Sequence, residues 1–333
     1  MKAVINGTPE DIRAVWFEGR EVRMMDQRRL PHEIVIVNFK EYEEVAASIA
    51  DMTIRGAPSI GAAAAYGMCL AALNGKDVDK AARIIKASRP TANDLFYAVD
   101  HMLRELEKGA DPIAAADDYA DMIVDKCKKI GEYGNSLIKD GDVIMTHCNA
   151  GALATVDVGT ALAPIRKAWS SGKNIFVYVS ETRPRLQGMQ LTAWELSQEG
   201  IPHSIIADGA SGHFMKKGVD IIITGADRIV ANGDFANKIG TYEKAVIAKE
   251  LGIPFYVAAP VSTFDLGTEC GDRIVIEERP EEEVTFMNGV RIAPAGSKAL
   301  NPSFDVTPSR YVTGFITENG ILRPDEVRRM VTR

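Results

Sequence analysis

A thiol and a carboxyl mark where this 333-residue chain could do chemistry. The thiol, Cys148, lies in Met145-Thr146-His147-Cys148-Asn149-Ala150-Gly151-Ala152-Leu153-Ala154, entered by the apolar run Val143-Ile144-Met145 and followed by Thr155 and Thr160. The pattern predicts a buried parallel strand whose carboxyl end opens into a small-residue loop, and in open α/β sheets such ends face the ligand crevice. The competing reading is a small buried hydrophobe, since free cysteine is among the most buried residue types. The carboxyl, Asp227, follows Ile221-Ile222-Ile223 closely in Gly225-Ala226-Asp227-Arg228. A carboxyl desolvated beside a substrate has its pKa raised and can act as an acid near neutral pH. Pairing with Arg228 or capping a turn is the plainer alternative.

Groups suited to anions and hydroxyls surround these two in the sequence. In Ile54-Arg55-Gly56-Ala57-Pro58, Pro58 fits the first turn of a helix, which leaves the amides near Gly56 and Ala57 at a helix amino terminus beside the Arg55 guanidinium. Arg55 as a solvated flank of a core helix fits this stretch equally well. Arg89 is a second candidate anion ligand. Later strands are each followed by polar clusters: Glu181-Thr182-Arg183 with Gln187-Gly188, then Asp208 to His213, then Asp227, Asn232-Gly233-Asp234 and Asn237-Lys238. Polar groups after successive parallel strands converge on one rim of a sheet, as a small-molecule site requires. The plain alternatives are a Glu181–Arg183 ion pair, a turn at Asn232–Asp234 and a solvent-facing Lys238.

The elements that must position these groups fall into two textures. Val15-Trp16-Phe17, Val22–Met25 and Ile34–Val37 read as strands, residues 41–53 as a helix, and an alanine-rich helix follows Pro58. Residues 77–139 read as helical, interrupted at Ser88-Arg89-Pro90-Thr91-Ala92-Asn93, with a helix cap at Thr91 or Asn93. From Asp142, apolar strands alternate with helical segments: Val143–His147, Ile175–Ser180, Ser204–Ala207, Asp220–Thr224 and Phe255–Ala259. That alternation predicts a mainly parallel sheet with crossover helices, an α/β fold of Rossmann-like character. The tail predicts a strand at Arg273–Glu277, a charged loop over 278–283, turn chemistry at both ends of Asn301–Pro308, and a short helix over 324–332. The boundary falls near Gly134–Gly141: an N-terminal strand-plus-helical domain over 1–135 and a catalytic domain over 136–333.

Composition narrows the class. A net charge of −7 argues against nonspecific nucleic-acid binding. No run approaches the ~18–20 apolar residues of a membrane span, and the amino terminus lacks the apolar stretch of a secretory signal. Cys69, Cys127, Cys148 and Cys270 include no Cys-x-x-Cys pair and no zinc spacing. Cys69 and Cys127 read as packing residues, and a disulfide is not expected in a chain that reads as cytoplasmic, though a Cys148–Cys270 bridge stays open. The Gly151–Thr155 loop lacks a Gly-x-Gly-x-x-Gly fingerprint, and no phosphate loop with a terminal lysine occurs. Glu181 after the second strand keeps a nicotinamide reading open.

At these motifs the chain resembles the 5-methylthioribose-1-phosphate isomerase family. The resemblance runs nearly end to end and rests on Asp26-Gln27-Arg28-Arg29-Leu30-Pro31, Arg55-Gly56-Ala57-Pro58, Ser88-Arg89-Pro90-Thr91, Thr146-His147-Cys148-Asn149-Ala150-Gly151, Glu181-Thr182-Arg183-Pro184, Leu186-Gln187-Gly188, Gly225-Ala226-Asp227-Arg228, Asn237-Lys238-Ile239-Gly240-Thr241 and Phe304-Asp305-Val306-Thr307-Pro308. It implies a homodimeric aldose-to-ketose isomerase of methionine salvage that needs no metal or nucleotide cofactor. It implies Cys148 and Asp227 as catalytic residues, and Arg55, Gly56, Ala57, Arg89, Gln187, Asn237 and Lys238 as ligands of a sugar phosphate. The wider superfamily also holds ribose-1,5-bisphosphate isomerases and regulatory subunits of a translation-initiation exchange factor, which commonly lack the paired cysteine and aspartate. Trp16 and the Asp26–Pro31 segment favour the methylthioribose branch. The methylthio group would want an apolar pocket, with Trp16 or methionines as candidates.

Overall fold

In the computed structural model, which describes residues 1–5, 7–89 and 93–330, two antiparallel assemblies open the chain. β1 (Lys2–Ile5) pairs with β2 (Thr8–Asp11). This hairpin has no counterpart in the sequence expectations, because Thr8-Pro9-Glu10-Asp11 is wholly exposed and shows no apolar alternation. β3 (Val15–Glu18) turns through Gly19-Arg20 into β4 (Glu21–Met25). Both turn residues have positive φ, the geometry that matches the twist of paired strands. β5 (Ile36–Phe39) completes this sheet two residues beyond the expected Ile34–Val37, because its register sets Met25 opposite Ile36.

Five helices follow: α1 (Tyr42–Ala50), α2 (Ala57–Leu73), α3 (Val78–Ala87), α4 (Asn93–Glu107) and α5 (Pro112–Asn135). The cap expected at Thr91 lies outside the described residues. Nearly every residue of α2 from Ser59 to Ala71 is buried, which explains its glycines and alanines. A Cβ on Gly61 would lie 3.2 Å from both the Asp94 carbonyl oxygen and the Tyr119 hydroxyl. The small residues therefore let α4 and α5 close onto this central helix. One apolar core reaches Cys127 on α5, and a second begins at Ile130 on the same helix.

The second half alternates as expected: β6 (Val143–Thr146), α6 (Leu162–Ser170), β7 (Phe176–Ser180), α7 (Ala193–Gln198), β8 (His203–Ile206), α8 (Ser211–Gly218) and β9 (Ile221–Thr224). The polypeptide then makes a β10 (Arg228–Val230) and β11 (Phe235–Lys238) hairpin before α9 (Thr241–Glu250) and β12 (Phe255–Ala258). β13 (Phe264–Asp265), α10 (Glu282–Thr285), the small β14 (Phe286–Met287) and β15 (Val290–Arg291) hairpin, β16 (Phe304–Thr307), β17 (Gly314–Thr317), β18 (Gly320–Leu322) and α11 (Pro324–Met330) complete it. Of the final helix expected over 324–332, residues 331 and 332 lie outside the described residues.

Among the described residues the largest sheet has seven strands, ordered β18–β17–β12–β9–β6–β7–β8 and parallel except for β18. Counted from β6, the parallel order is 3-2-1-4-5-6, so successive connections leave in opposite directions from β6 and β9 and open a crevice at their carboxyl ends. All of Ile221–Thr224 is buried, each isoleucine contributing roughly 1.5–3 kcal/mol. A smaller sheet, β13–β10–β11–β16, grows from the loop after β9.

One expectation in the tail fails and one element goes unforeseen. Arg273–Glu277 is not a strand: Gly271–Arg273 forms a 3-10 turn and the segment beyond it joins no ladder. Residues 304–307, marked only by turn chemistry, form β16 and pair along all of β11. All four cysteines are free, which removes a Cys148–Cys270 bridge. Among the described residues no helix is long and apolar enough to cross a membrane.

Candidate active site

Cys148 and Asp227 follow the two strands that flank the switch point, β6 and β9, and line the same cavity. Cys148 adopts φ +63°, a left-handed conformation that is strained for a side-chain-bearing residue. Its neighbours hold it there: its N–H donates to Thr182 Oγ1 at 2.8 Å, and its carbonyl accepts from Thr192 Oγ1 at 2.7 Å. Thr182, at the end of β7, is itself left-handed at φ +67°. Two strained strand ends thus brace each other and aim the thiol into the crevice.

The seven other residues singled out from the sequence, Arg55, Gly56, Ala57, Arg89, Gln187, Asn237 and Lys238, line the same cavity. Gly56 precedes α2 with φ +96°, and a Cβ there would lie 2.5 Å from Ala154 Cα, so only glycine lets the α2 amino terminus dock against the loop after Cys148. Arg55 is buried and spends both terminal nitrogens on Asn149, at 2.9 and 3.1 Å to its carbonyl and 2.5 Å to its side-chain oxygen. Its Nε is buried without a partner, as is Gln187 Oε1. Lys238 is not solvent-facing: it is buried in β11, with Nζ 5.1 Å from the Phe304 ring centroid. Asn237 is anchored by its amide nitrogen to Thr241 Oγ1 at 2.9 Å. The alternatives for Glu181 and Arg183 also give way: Arg183 donates to the carbonyls of Pro184 and Val284.

The charges in the cavity oppose burial. Burial pushes the Cys148 thiol above its ordinary pKa, against the pull of Arg55 and Lys238. It raises the Asp227 carboxyl too, against Lys238, Arg89 and Arg55. Both side chains touch cavity solvent yet sit deep in protein, so desolvation outweighs the neighbouring cations. Burial lowers Lys238, while Cys148 and Asp227 hold it up. The resting cavity therefore pairs two protonatable acids with three cations, an arrangement that attracts a multiply charged anion. His147 is pushed down to about 3, by burial first and then by Lys244 and Lys238. It is a neutral imidazole whose Nε2–H donates to the Ile239 carbonyl at 2.8 Å, so the Asp208 carboxylate 3.9 Å from Nδ1 is no ion-pair partner.

Known proteins bear directly on this geometry. The Initiation factor 2 subunit family model matches residues 53–324. A methylthioribose-1-phosphate isomerase of Caldanaerobacter subterraneus subsp. tengcongensis is 50% identical, covering 95% of this chain and 97% of its own. The chain belongs to the methylthioribose-1-phosphate isomerase family. The crystal structure of 5-methylthioribose 1-phosphate isomerase from Pyrococcus horikoshii OT3 matches with a TM-score of 0.89 at 42% identity, over 97% of this chain and 95% of that one. The structure described as translation initiation factor eIF-2B, subunit delta, from A. fulgidus matches with a TM-score of 0.86 at 41% identity, over 97% of this chain and 100% of that one. One fold thus carries both isomerase and translation-factor names, so activity lies in the residues of the site.

Within this isomerase fold, several residues with no role assigned from sequence shape the cavity. Phe304 covers Lys238, and the adjoining Asp305 accepts from the amides of Gly240 and Tyr242, fixing the turn that follows Asn237-Lys238. Trp16, a candidate for the methylthio end, does not line the cavity; it sits on β3 beside Glu18. Met52, Ala258, Ala259 and Pro260 supply apolar lining instead. Glu195 lies outside the cavity and braces its wall. The turn residues of 301–308 did hint at a structured segment, but no local signal marked Glu195.

Proposed function

We propose that this chain converts 5-methylthioribose 1-phosphate to 5-methylthioribulose 1-phosphate, the aldose-to-ketose step of methionine salvage. The observation that carries this is one cavity at the sheet's switch point lined by a thiol, a carboxyl and three cations, with an unpaired Arg55 Nε among them. Arg55, Arg89, Lys238 and the amides near Gly56 and Ala57 clamp the phosphate, and Gln187 and Asn237 orient sugar hydroxyls. Met52, Pro260 and their apolar neighbours suit a methylthio group at C5. Arg183 and Arg185 in the adjoining pocket are committed to carbonyls and to Glu283, so they offer no ready second phosphate site.

The phosphate on O1 blocks the ordinary route through a free aldehyde. The ring must open with the ester in place. Asp227, whose carboxyl burial makes easier to protonate, acts as the acid and donates a proton to the ring oxygen as the bond from C1 to that oxygen breaks. C1 is left electron-poor and stabilised by its ester oxygen. Hydrogen then moves from C2 to C1 with its electron pair, and the C2 hydroxyl returns its proton to Asp227, leaving the ketone. Cys148 walls water away from the electron-poor C1, and a hydroxyl in its place would draw water in and stall the step. The rival route uses Cys148 as a base through an enolate-like intermediate, but burial disfavours the thiolate it requires.

The reading extends to a homodimer acting in the cytoplasm and to a division into domains at residues 135–136, the latter supported by the change of apolar core along α5. Its test is ketose formation by pure protein from three substrates: 5-methylthioribose 1-phosphate, 5-deoxyribose 1-phosphate and ribose 1,5-bisphosphate. The methylthio sugar should give the highest kcat/KM. Preference for the bisphosphate overturns the C5 assignment. No ketose from any of the three overturns the enzyme reading and favours a sugar-phosphate-binding role on the shared fold.

A further inference from the structure

We propose that Glu195, a residue outside the cavity, is a positioning residue that sets Arg55 and the adjoining loop for phosphate. The inference rests on the reading of Arg55 as a phosphate ligand. Glu195 lies on α7 between Trp194 and Leu196 and is 1% exposed. Its carboxylate accepts four hydrogen bonds: Oε1 from Asn149 Nδ2 at 2.8 Å and the Leu153 amide at 3.3 Å, Oε2 from the Ala152 amide at 2.8 Å and Arg166 Nη2 at 2.7 Å. Arg166 supplies the countercharge and is braced in turn by Glu199. A buried carboxylate is tolerable only when paired and fully bonded in this way.

Two arms run from this carboxylate to the cavity. The first passes through Asn149. Its amide nitrogen is held by Glu195, which turns its oxygen, together with the main-chain carbonyl, onto both terminal nitrogens of Arg55. A guanidinium is a planar fork, so fixing both ends fixes the direction of Nε, the nitrogen left without a partner. The second arm holds the amides that open the 3-10 turn Ala152–Ala154. Ala154 of that turn packs on Gly56, and the Leu153 carbonyl accepts from Ser59 Oγ at 2.9 Å, locking the first turn of α2 in place. Gly151 has no side chain for the same reason: a Cβ there would sit 2.2 Å from Glu195 Oε2. One carboxylate thus sets the guanidinium and the helix amino terminus together.

The test reads phosphate affinity separately from turnover. Glu195→Gln keeps the shape but offers one accepting oxygen where Glu195 offers two, so it cannot accept all four bonds. It should raise KM for the substrate and the inhibition constant of inorganic phosphate about tenfold, with kcat changed less than about threefold, because a lost ground-state contact appears in KM. Asn149→Ala cuts only the side-chain part of the first arm and should shift both constants in the same direction. In an Arg55→Ala background, Glu195→Gln should add clearly less than its tenfold, about threefold, since the arm through Asn149 has nothing left to position and only the α2 amino terminus still depends on it. Independent, multiplicative effects overturn the inference. So does normal phosphate inhibition in both Glu195→Gln and Asn149→Ala when Arg55→Ala weakens it. If Arg55→Ala leaves phosphate inhibition unchanged, the reading of Arg55 fails and this inference falls with it. Should Glu195→Gln not fold, the cycle of Asn149→Ala with Arg55→Ala decides by the same criteria.

Discussion

Arg89→Met separates affinity from stability at one position. Arg89 lines the cavity with Lys238, within the electrostatic reach of Asp227, Glu277 and Arg55, and among the described residues its guanidinium has no hydrogen-bond or ion-pair partner. Its free donors are therefore available to a phosphate. A hydrogen bond to a charged group is worth about 1.5–3 kcal/mol, and the cavity solvent beside Arg89 puts the loss at the lower end, about 10–30-fold in KM. The fold should not suffer. Burial of this cation outweighs the pull of Glu277 and Asp227, and its removal leaves no hydrogen-bond partner orphaned, so stability should hold or rise by up to ~1 kcal/mol. The assay is initial-rate kinetics against substrate concentration, with thermal melting of the ligand-free protein. KM within twofold of wild type would refute the placement of Arg89 on the phosphate. A melting temperature lower by more than ~3 °C would show that Arg89 holds the structure together.

Three further outcomes follow from the same geometry. Cys148→Ser and Asp227→Asn should each nearly abolish ketose formation while leaving circular dichroism and melting close to wild type; near-normal turnover removes that residue from the mechanism. With substrate deuterated at C2 in ordinary water, the product should keep its deuterium at C1, and solvent hydrogen there would sink the hydride route. Asp94, buried under α2, is raised to about 6 by desolvation, against Lys126 and a hydrogen bond from Ser262. A carboxyl with a raised folded-state pKa favours folding below its unfolded value near 4, and that contribution is lost as pH climbs through about 6. Asp94→Asn should therefore match wild type near pH 4 and exceed it at pH 8, by ~2–3 kcal/mol in urea unfolding; equal stability at both pH values would contradict the burial argument.

What was legible in the sequence was local. β6 and β9 announce themselves as short apolar runs, and the small or polar residues after them mark strand ends, so Cys148 and Asp227 stand out without any knowledge of what they face. The Arg55–Pro58 stretch reads as a helix start for the same reason. Illegible features depend on partners far along the chain. Phe304–Thr307 is a strand only because β11 offers it an edge, and Lys238 is buried only because that strand and the Phe304 ring close over it. By charge and position alone Lys238 belongs equally to a surface.

The strand order explains why such remote groups converge. Strands β6 and β9 are neighbours in the sheet but are separated in sequence by β7 and β8, which build outward on one side. Their carboxyl ends are therefore not bridged by a single connection, and a crevice opens there. Cys148 enters it from one strand and Asp227 from the other, and Arg55 arrives from the α2 amino terminus through its bonds to Asn149. The carboxyl has its own anchor, whereas the thiol and the guanidinium share one through Thr192, which bonds both the Cys148 carbonyl and the Asn149 side chain. The thiol is strained into place by Thr182 and Thr192, and the guanidinium is aimed by Asn149 and Glu195. The carboxyl backbone is pinned where the Asp227 amide donates to Ala236, at the base of the β10–β11 hairpin. Loosening the Asp227 anchor should therefore move turnover alone, whereas loosening Thr192, which ties the thiol to the Arg55 anchor, should move affinity and turnover together.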